Sequence, residues 1–347
     1  MVGPTVFFWI CLAIVPFACF GNIVLLIALW RYPKLRHQSG SNVVFTVALA
    51  GSNLVTTTVM FPLKSIGHFI DSDLRFNPTA CLLGCQMLSF TGISSGFILG
   101  CIAFEKYIKI LHPFLNSSFT TQRCLIIVCI PIMLWGFFSF APAFGWNLYT
   151  PAMKETYRCD KVLILPIAYV AIIEVWIGII FLQTVYCYGM IFYAANQHQR
   201  QIIKDQSRFP TLEFVGLYKK EHENIEFLQS KQQKKCKMHP NCSKTDCHLK
   251  IVKTAIIILG MYFLVWIPAL SLPLVMSIKK NNDDIWIYMT LHYCCFILIL
   301  LQACINPVIY TYRMKTFRRA FQKILLKNNI KDLNDESNTC ETTPNLK

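Results

Sequence analysis

Apolar residues fall in long blocks along this chain, separated by shorter polar stretches. Seven apolar runs stand out, at about Thr5–Trp30, Asn42–Phe69, Cys81–Ile110, Cys124–Phe144, Val162–Ala195, Ile251–Ile278 and Ile285–Tyr312. Each is long enough to cross a bilayer as a helix, which takes roughly 20 residues at 1.5 Å rise. The pattern predicts an all-α membrane protein, a seven-transmembrane helix bundle over residues 1–312. Pro268 and Pro307 should kink spans six and seven. Pro307 also removes a backbone donor, so Asn306 and its neighbours are expected to re-satisfy the freed carbonyl from within the protein. Beyond span seven, residues 313–327 turn basic and amphipathic, with Tyr312, Phe317 and Phe321 on one side and Arg313, Lys315, Arg318 and Arg319 around them. That stretch predicts a short interfacial eighth helix. Residues 197–249 are charged and poor in apolar periodicity, the composition of a mobile cytoplasmic loop with helical extensions at its ends. Residues 328–347 read as a disordered tail. No internal repeat is visible, which argues against an inverted-repeat transporter.

Charge sets the expected orientation. Among 347 residues, 54% are hydrophobic, 15% are charged, and the net charge is +15. A basic balance of this size would suit nucleic acid, but here the basic residues sit between apolar runs and form no folded basic face. They cluster after span one (Arg31, Lys34, Arg36), between spans five and six, and after span seven. The remaining loops are balanced in charge. By the positive-inside rule the basic side is the cytoplasm, the N-terminus is outside and the C-terminus inside. The opening MVGPTVFFWI lacks a basic n-region, so the first run is expected to act as an uncleaved signal-anchor. Most of the sixteen cysteines lie inside apolar runs, where they behave as small hydrophobes. Cys81, at the outer tip of span three, and Cys159, in the outer loop after span four, form a candidate disulfide on the oxidising side. Cys85, one turn deeper, is the competing partner, with Cys81 favoured.

Polar residues within apolar runs mark the candidate chemistry, because they must find partners inside the bundle. They are Asn22 in span one, Asn53 in span two, Glu105-Lys106-Tyr107 at the inner end of span three, and Asn306 in span seven. Each has a plain reading as a helix–helix contact or interfacial anchor. Trp266 lies two residues before Pro268, placed to couple ring rotation to bending, or simply to pack the core. Asn116-Ser-Ser and Asn241-Cys-Ser fall on the cytoplasmic side, where glycosylation does not occur. Cys236, His239, Cys242, Cys247 and His248 are too irregularly spaced for a zinc site.

Together these residues resemble the rhodopsin-like G-protein-coupled receptors. The resemblance covers all seven spans and the eighth helix, through Asn22, Leu49 to Asn53, Cys81 and Cys159, Glu105-Lys106-Tyr107, Trp135, Tyr188, Trp266-Ile-Pro268 and Asn306-Pro-Val-Ile-Tyr310. Within that family the chain is most similar to adenosine receptors, through Phe144-Gly-Trp-Asn147, Ile191 to Ala195, Trp286 and Ile309 to Arg319. The resemblance implies a non-enzymatic receptor without cofactors. It implies a heterotrimeric G-protein and an extracellular small molecule as partners, contact with membrane lipid, and homo- or heteromers as a further association; nucleic acid is not among its partners. The implied activation switch comprises Asn53, Ser95, Tyr188, Tyr262, Trp266, Pro268, Asn306, Pro307 and Tyr310, and the implied G-protein contact is Glu105, Lys106 and Tyr107.

Departures from the family pattern are informative. Asn53 stands where the family carries the Asp of a sodium site, whose other positions match Ser95, Gln302 and Asn306; loss of that charge implies weak or absent sodium modulation. Lys106 replaces an Arg and loses its planar fork of donors. His248 stands where the acidic partner in span six is expected, so a weakly locked inactive state and inefficient coupling follow as expectations. The adenosine-contacting positions are not matched: they are Lys161, Pro273, Gly92 and the pair Ile299-Leu300. Leu88 carries no acid for an amine, and Leu300 is no lysine for retinal. The implied ligand pocket, lined by Leu88, Gly92, Lys161, Trp266, Ala269, Leu270, Pro273 and Leu300, is mostly apolar and suits an apolar or weakly polar ligand. The contrasting reading is a non-signalling or weakly coupled scaffold or decoy, motivated by Lys106 and Asn53. A seven-span hydrolase is disfavoured, because His68 and His292 lack suitably spaced metal-ligand partners.

Overall fold

A computed structural model describes residues 2–33, 35, 42–63, 78–148, 165–208, 260–269, 271–272, 285–313 and 315–326. Every regular element among them is helical. In chain order we label α1 (Val2–Arg31), α2 (Asn42–Val55), α3 (Pro78–Leu111), α4 (Thr121–Phe140), α5 (Ile167–Arg208), α6 (Gly260–Ala269), α7 (Ile285–Arg313) and α8 (Lys315–Leu326). Six of the described helices are long and apolar enough to cross a membrane, and α6 is a shorter apolar helix. The described part of α5 runs past the expected Ala195 to Arg208, as the anticipated helical extension requires.

The sequence explains which helix is central. α3 carries Gly92, Gly96 and Gly100 with Thr91, Ser94 and Ser95, small side chains that admit neighbouring backbones. It packs against α2, α4 and α5 and is buried for most of its length. α4 has the opposite pattern. Leu125, Ile126, Ile130, Leu134 and Phe137 are exposed, as befits a helix whose outer face meets lipid. Its contact with α5 is aromatic: Phe138 stacks on Tyr169 with centroids 5.4 Å apart, and the Tyr169 hydroxyl donates to the Ser139 carbonyl at 2.9 Å.

α2 is extended by a π-helical turn, Thr56–Met60, which periodicity alone did not foretell. Its cause is local. Pro62 follows within the same run and brings no N–H, leaving the carbonyl one turn back without its helical donor. Thr56, Thr57 and Thr58 all turn their hydroxyls back to the preceding turn, accepted by Ser52, Asn53 and Leu54 carbonyls at 2.9, 3.0 and 2.7 Å. Such back-bonding and a nearby proline are the usual companions of helix distortion.

α8 packs on α1 and α7. Phe317 and Ala320 are buried in one cluster with Leu25, Ala28, Leu29 and Leu35, while Phe321 packs at its edge and Arg318 is exposed. This agrees with the apolar side read from Phe317 and Phe321.

α1 and α7 pack along an extensive seam with Gly21 facing Pro307. A Cβ added at Gly21 would lie 3.1 Å from Pro307 Cγ, whereas one at Gly51 would meet nothing within 4 Å. Gly21→Val should therefore push α1 off α7 and cost about 1–3 kcal/mol. We expect thermal denaturation of the receptor in nanodiscs to show a clearly lowered midpoint for Gly21→Val and little change for Gly51→Val.

Candidate functional site

The site begins at the amide of Asn22, which is fully buried in α1. Its Nδ2 donates to the Ala18 carbonyl at 2.8 Å and to the Ala303 carbonyl of α7 at 2.9 Å. Ala303 precedes Pro307 by one helical turn, so its carbonyl is the one that Pro307 leaves without a backbone donor. The freed group is satisfied as expected, but by α1 and not by the neighbours of Asn306. Asn22 Oδ1 in turn accepts from Asn53 Nδ2 of α2 at 3.1 Å. A single side chain thus joins α1, α2 and α7.

Asn53 lines a small cavity together with Thr56, Ser95, Trp266, Ile299, Gln302 and Ala303, holding about 10 Å³ of water-sized space. That is close to the minimum for one water molecule. Ser95 of α3 is held by a 2.9 Å bond to Ser52 of α2. The lining is polar but carries no charge, and it includes no carboxylate. Asn306 is buried in α7 beside Gln302 and Ala303 along the chain, but does not line the cavity.

Trp266 closes the cavity on the α6 side. Its ring lies over Gly92 of α3, where an added Cβ would stand 2.7 Å from Trp266 Cε3. Tyr262, one turn earlier, donates its hydroxyl to the Gly92 carbonyl at 2.8 Å. Phe263 meets Phe181 of α5 edge-on, with centroids 4.8 Å apart. Leu88, Ala269 and Leu300 are buried in the same apolar core as Trp266. Pro268 sits within the described α6, half a turn past the tryptophan. Leu270, Pro273, Lys161 and Cys159 lie outside the described residues, as do the side chains of Cys81 and Tyr310. Cys85, the competing disulfide candidate, is a buried free thiol.

At the far end of α3, Glu105 is buried at 1% exposure and pairs with Lys106, its Oε2 lying 3.1 Å from Nζ. Tyr107 points toward His112, with its hydroxyl 3.3 Å from Nε2, and packs near Tyr186 of α5. Tyr188 is buried in α5.

Several participants were not singled out from the sequence. Ser52, Thr56 and Gly96 belong to the same network; the spacing Gly92, Gly96, Gly100 was the available signal for a close helix approach. Glu174 is an acid inside the α5 run whose Oε1 is buried and makes no hydrogen bond. An intramembrane carboxyl is itself a signal.

The seven-run pattern, the helical bundle and the polar core define a seven-helix membrane receptor. The family model "7 transmembrane receptor (rhodopsin family)" matches residues 21–310, and the chain belongs to that family. It is accordingly a multi-pass plasma-membrane protein of a family of signalling receptors, not enzymes. Its relatives include cannabinoid receptor 2 of Mus musculus, 21% identical over 312 residues, covering 88% of this chain and 76% of the relative. They also include the alpha-1A adrenergic receptor of Oryzias latipes, 23% identical over 317 residues, covering 89% and 64%. Rhodopsin of Procambarus clarkii is 22% identical over 314 residues, covering 88% and 74%. These relatives give no support to the likeness to adenosine receptors, which rested on short motifs just after α4, in α5, and in α7 and α8. Family membership stands and adenosine specificity does not follow.

A sodium ion, which the family resemblance implies near Asn53, does not fit this lining. A hard cation wants anionic oxygen and several further oxygens, and the cavity offers only neutral groups and room for one water. The thermal midpoint of the purified protein should therefore be the same in sodium chloride and choline chloride. Asn53→Asp should gain a sodium-dependent rise, readable in the same denaturation assay.

Proposed function

We propose that the chain couples an apolar or weakly polar extracellular ligand to a heterotrimeric G-protein, through movement of α6 about Pro268. The observation that carries this reading is the position of Trp266. It belongs at once to the buried apolar core that also holds Leu88, Ala269 and Leu300, and to the lining of the polar cavity bounded by Asn53, Ser95 and Gln302. A ligand displacing apolar side chains above the ring would repack the polar groups below it, and α3, α6 and α7 meet at that point. The relatives carry the names of different ligand classes, so the ligand chemistry is argued from the lining alone. In this reading the N-terminus is outside, the basic loops and α8 face the cytoplasm, and Arg318 and its neighbours rest on the lipid surface. Association of two such receptors would use the lipid-facing side of α4, which is exposed over most of its length.

Coupling would run through Glu105, Lys106 and Tyr107. Lysine offers a point charge where arginine offers a planar fork. The pair with Glu105 joins neighbours on α3. The lysine in place of arginine favours a second reading, a weakly coupled or non-signalling scaffold. Cells expressing the wild type and Lys106→Arg, screened without ligand and with apolar metabolite pools against a full panel of G-proteins, separate the two. We expect activation of at least one G-protein class, rising severalfold with Lys106→Arg. Silence of both forms across the panel would reject the signalling reading and leave the scaffold.

A further inference from the structure

We propose that α5 and α6 frame a ligand site separate from the cavity beside Trp266, a notch headed by Glu174 that takes an amphiphile with one protonated amine and an apolar chain. Glu174 lies inside the α5 apolar run, roughly 10 Å along the axis from Ile167, the first residue of the helix. The residue is half-buried, and its Oε1 is shut off from the surface without a hydrogen-bond partner. Among the described residues no basic side chain pairs with it. α3 carries no charged residue before Glu105, α4 none after Arg123, and α6 from Gly260 to Ala269 none at all. The bilayer interior suits neither form of this carboxyl. Ionised, it is a charge without a counter-ion, and protonated, it is a donor and acceptor with no water to serve them. An ammonium group answers both needs, because it brings the opposite charge and several N–H donors at once.

Room for the rest of the ligand lies next to the acid. Gly178 follows Glu174 by one turn and Phe181 follows by two, so the three share one stripe of α5. A Cβ added at Gly178 would meet nothing within 4 Å. Beyond that gap Phe181 meets Phe263 of α6 edge-on, with centroids 4.8 Å apart, and closes the stripe against α6. The flanking Val175, Ile179 and Leu182 are exposed, as lipid-facing side chains are. The notch is therefore headed by an acid, floored by aromatic carbon and open toward the bilayer. A methylene chain arriving through the lipid fits it, and the nitrogen at its end stops at Glu174. The lining of the cavity beside Trp266 offers no such acid. The site requires only that α5 crosses the membrane and takes nothing from the signalling reading.

The test is equilibrium binding of tritiated dodecylamine to the full chain in phosphatidylcholine nanodiscs, whose zwitterionic surface does not attract amines by net charge. Binding to empty nanodiscs is subtracted, and tritiated dodecanol serves as the neutral probe of the same length. The wild type should bind the amine saturably and at least about tenfold more tightly than the alcohol. Glu174→Gln keeps the size of the side chain and removes its charge. It should weaken amine binding roughly ten- to hundredfold, the equivalent of one hydrogen bond to a charged group, and leave dodecanol binding where it was. Unchanged dodecanol binding also shows that this variant is folded. Gly178→Leu fills the notch and should weaken both probes. Equal affinity for amine and alcohol in the wild type overturns the site, and so does amine binding that survives Glu174→Gln or Gly178→Leu. Charge-selective binding by a chain that activates no G-protein upholds the site while rejecting the signalling reading. Activation by neutral compounds with no amine binding does the reverse.

Discussion

Pro307 costs α7 a hydrogen bond in a place where water cannot repay it, and the bundle is arranged around the group that makes good the loss. The carbonyl at stake belongs to Ala303, and Asn22 of α1 reaches it at 2.9 Å. Leaving such a carbonyl unpaired would cost about 1–3 kcal/mol, and more in a hydrocarbon setting. The same amide holds its own helix through Ala18 and accepts from Asn53. Because Gly21 lets Pro307 approach to contact distance, the seam between α1 and α7 closes without a gap. Sequence order alone would place α1 and α7 at opposite ends of a sheet of helices. The amide and the proline close them into a ring.

On the other side of the cavity the chemistry changes. α1, α2 and α7 are joined by amides and hydroxyls, whereas α3 and α6 meet through two aromatic rings in a glycine groove with one hydrogen bond. The first set resists separation by several polar bonds at once. The second is a shape fit, tight when seated and weak once displaced. Trp266 belongs to the boundary between the two sets because it lines the cavity formed with Asn53, Ser95 and Gln302.

Much of this was legible in the sequence. Apolar run length gave the spans, and the isolated amides Asn22, Asn53 and Asn306 pointed to the polar core, because an amide in lipid must have a partner. What the sequence could not supply was pairing. Asn22 as the donor to Ala303 depends on two residues nearly the full length of the bundle apart in sequence. The π turn at Thr56–Met60 came from three consecutive threonines near Pro62, a local conflict that hydrophobic period does not register. The groove at Gly92 and Gly96 was visible as spacing but not as a seat for Tyr262, since small-residue spacing names no partner. The adenosine likeness went without support among the relatives for a related reason: short motifs reflect shared packing, and ligand choice rests on a handful of pocket positions.

The central claim is that Asn22 stabilises the bundle by serving the carbonyl that Pro307 abandons. A double-mutant cycle of Asn22→Leu and Pro307→Ala, read as unfolding free energy in nanodiscs, tests it directly. Alanine at position 307 restores the backbone donor to the Ala303 carbonyl, so the loss of Asn22 should then cost less. The bonds of Asn22 to Ala18 and Asn53 are lost equally in both backgrounds and cancel. A coupling of about 1–2 kcal/mol is the predicted result. Additivity to within roughly 0.5 kcal/mol would contradict the account.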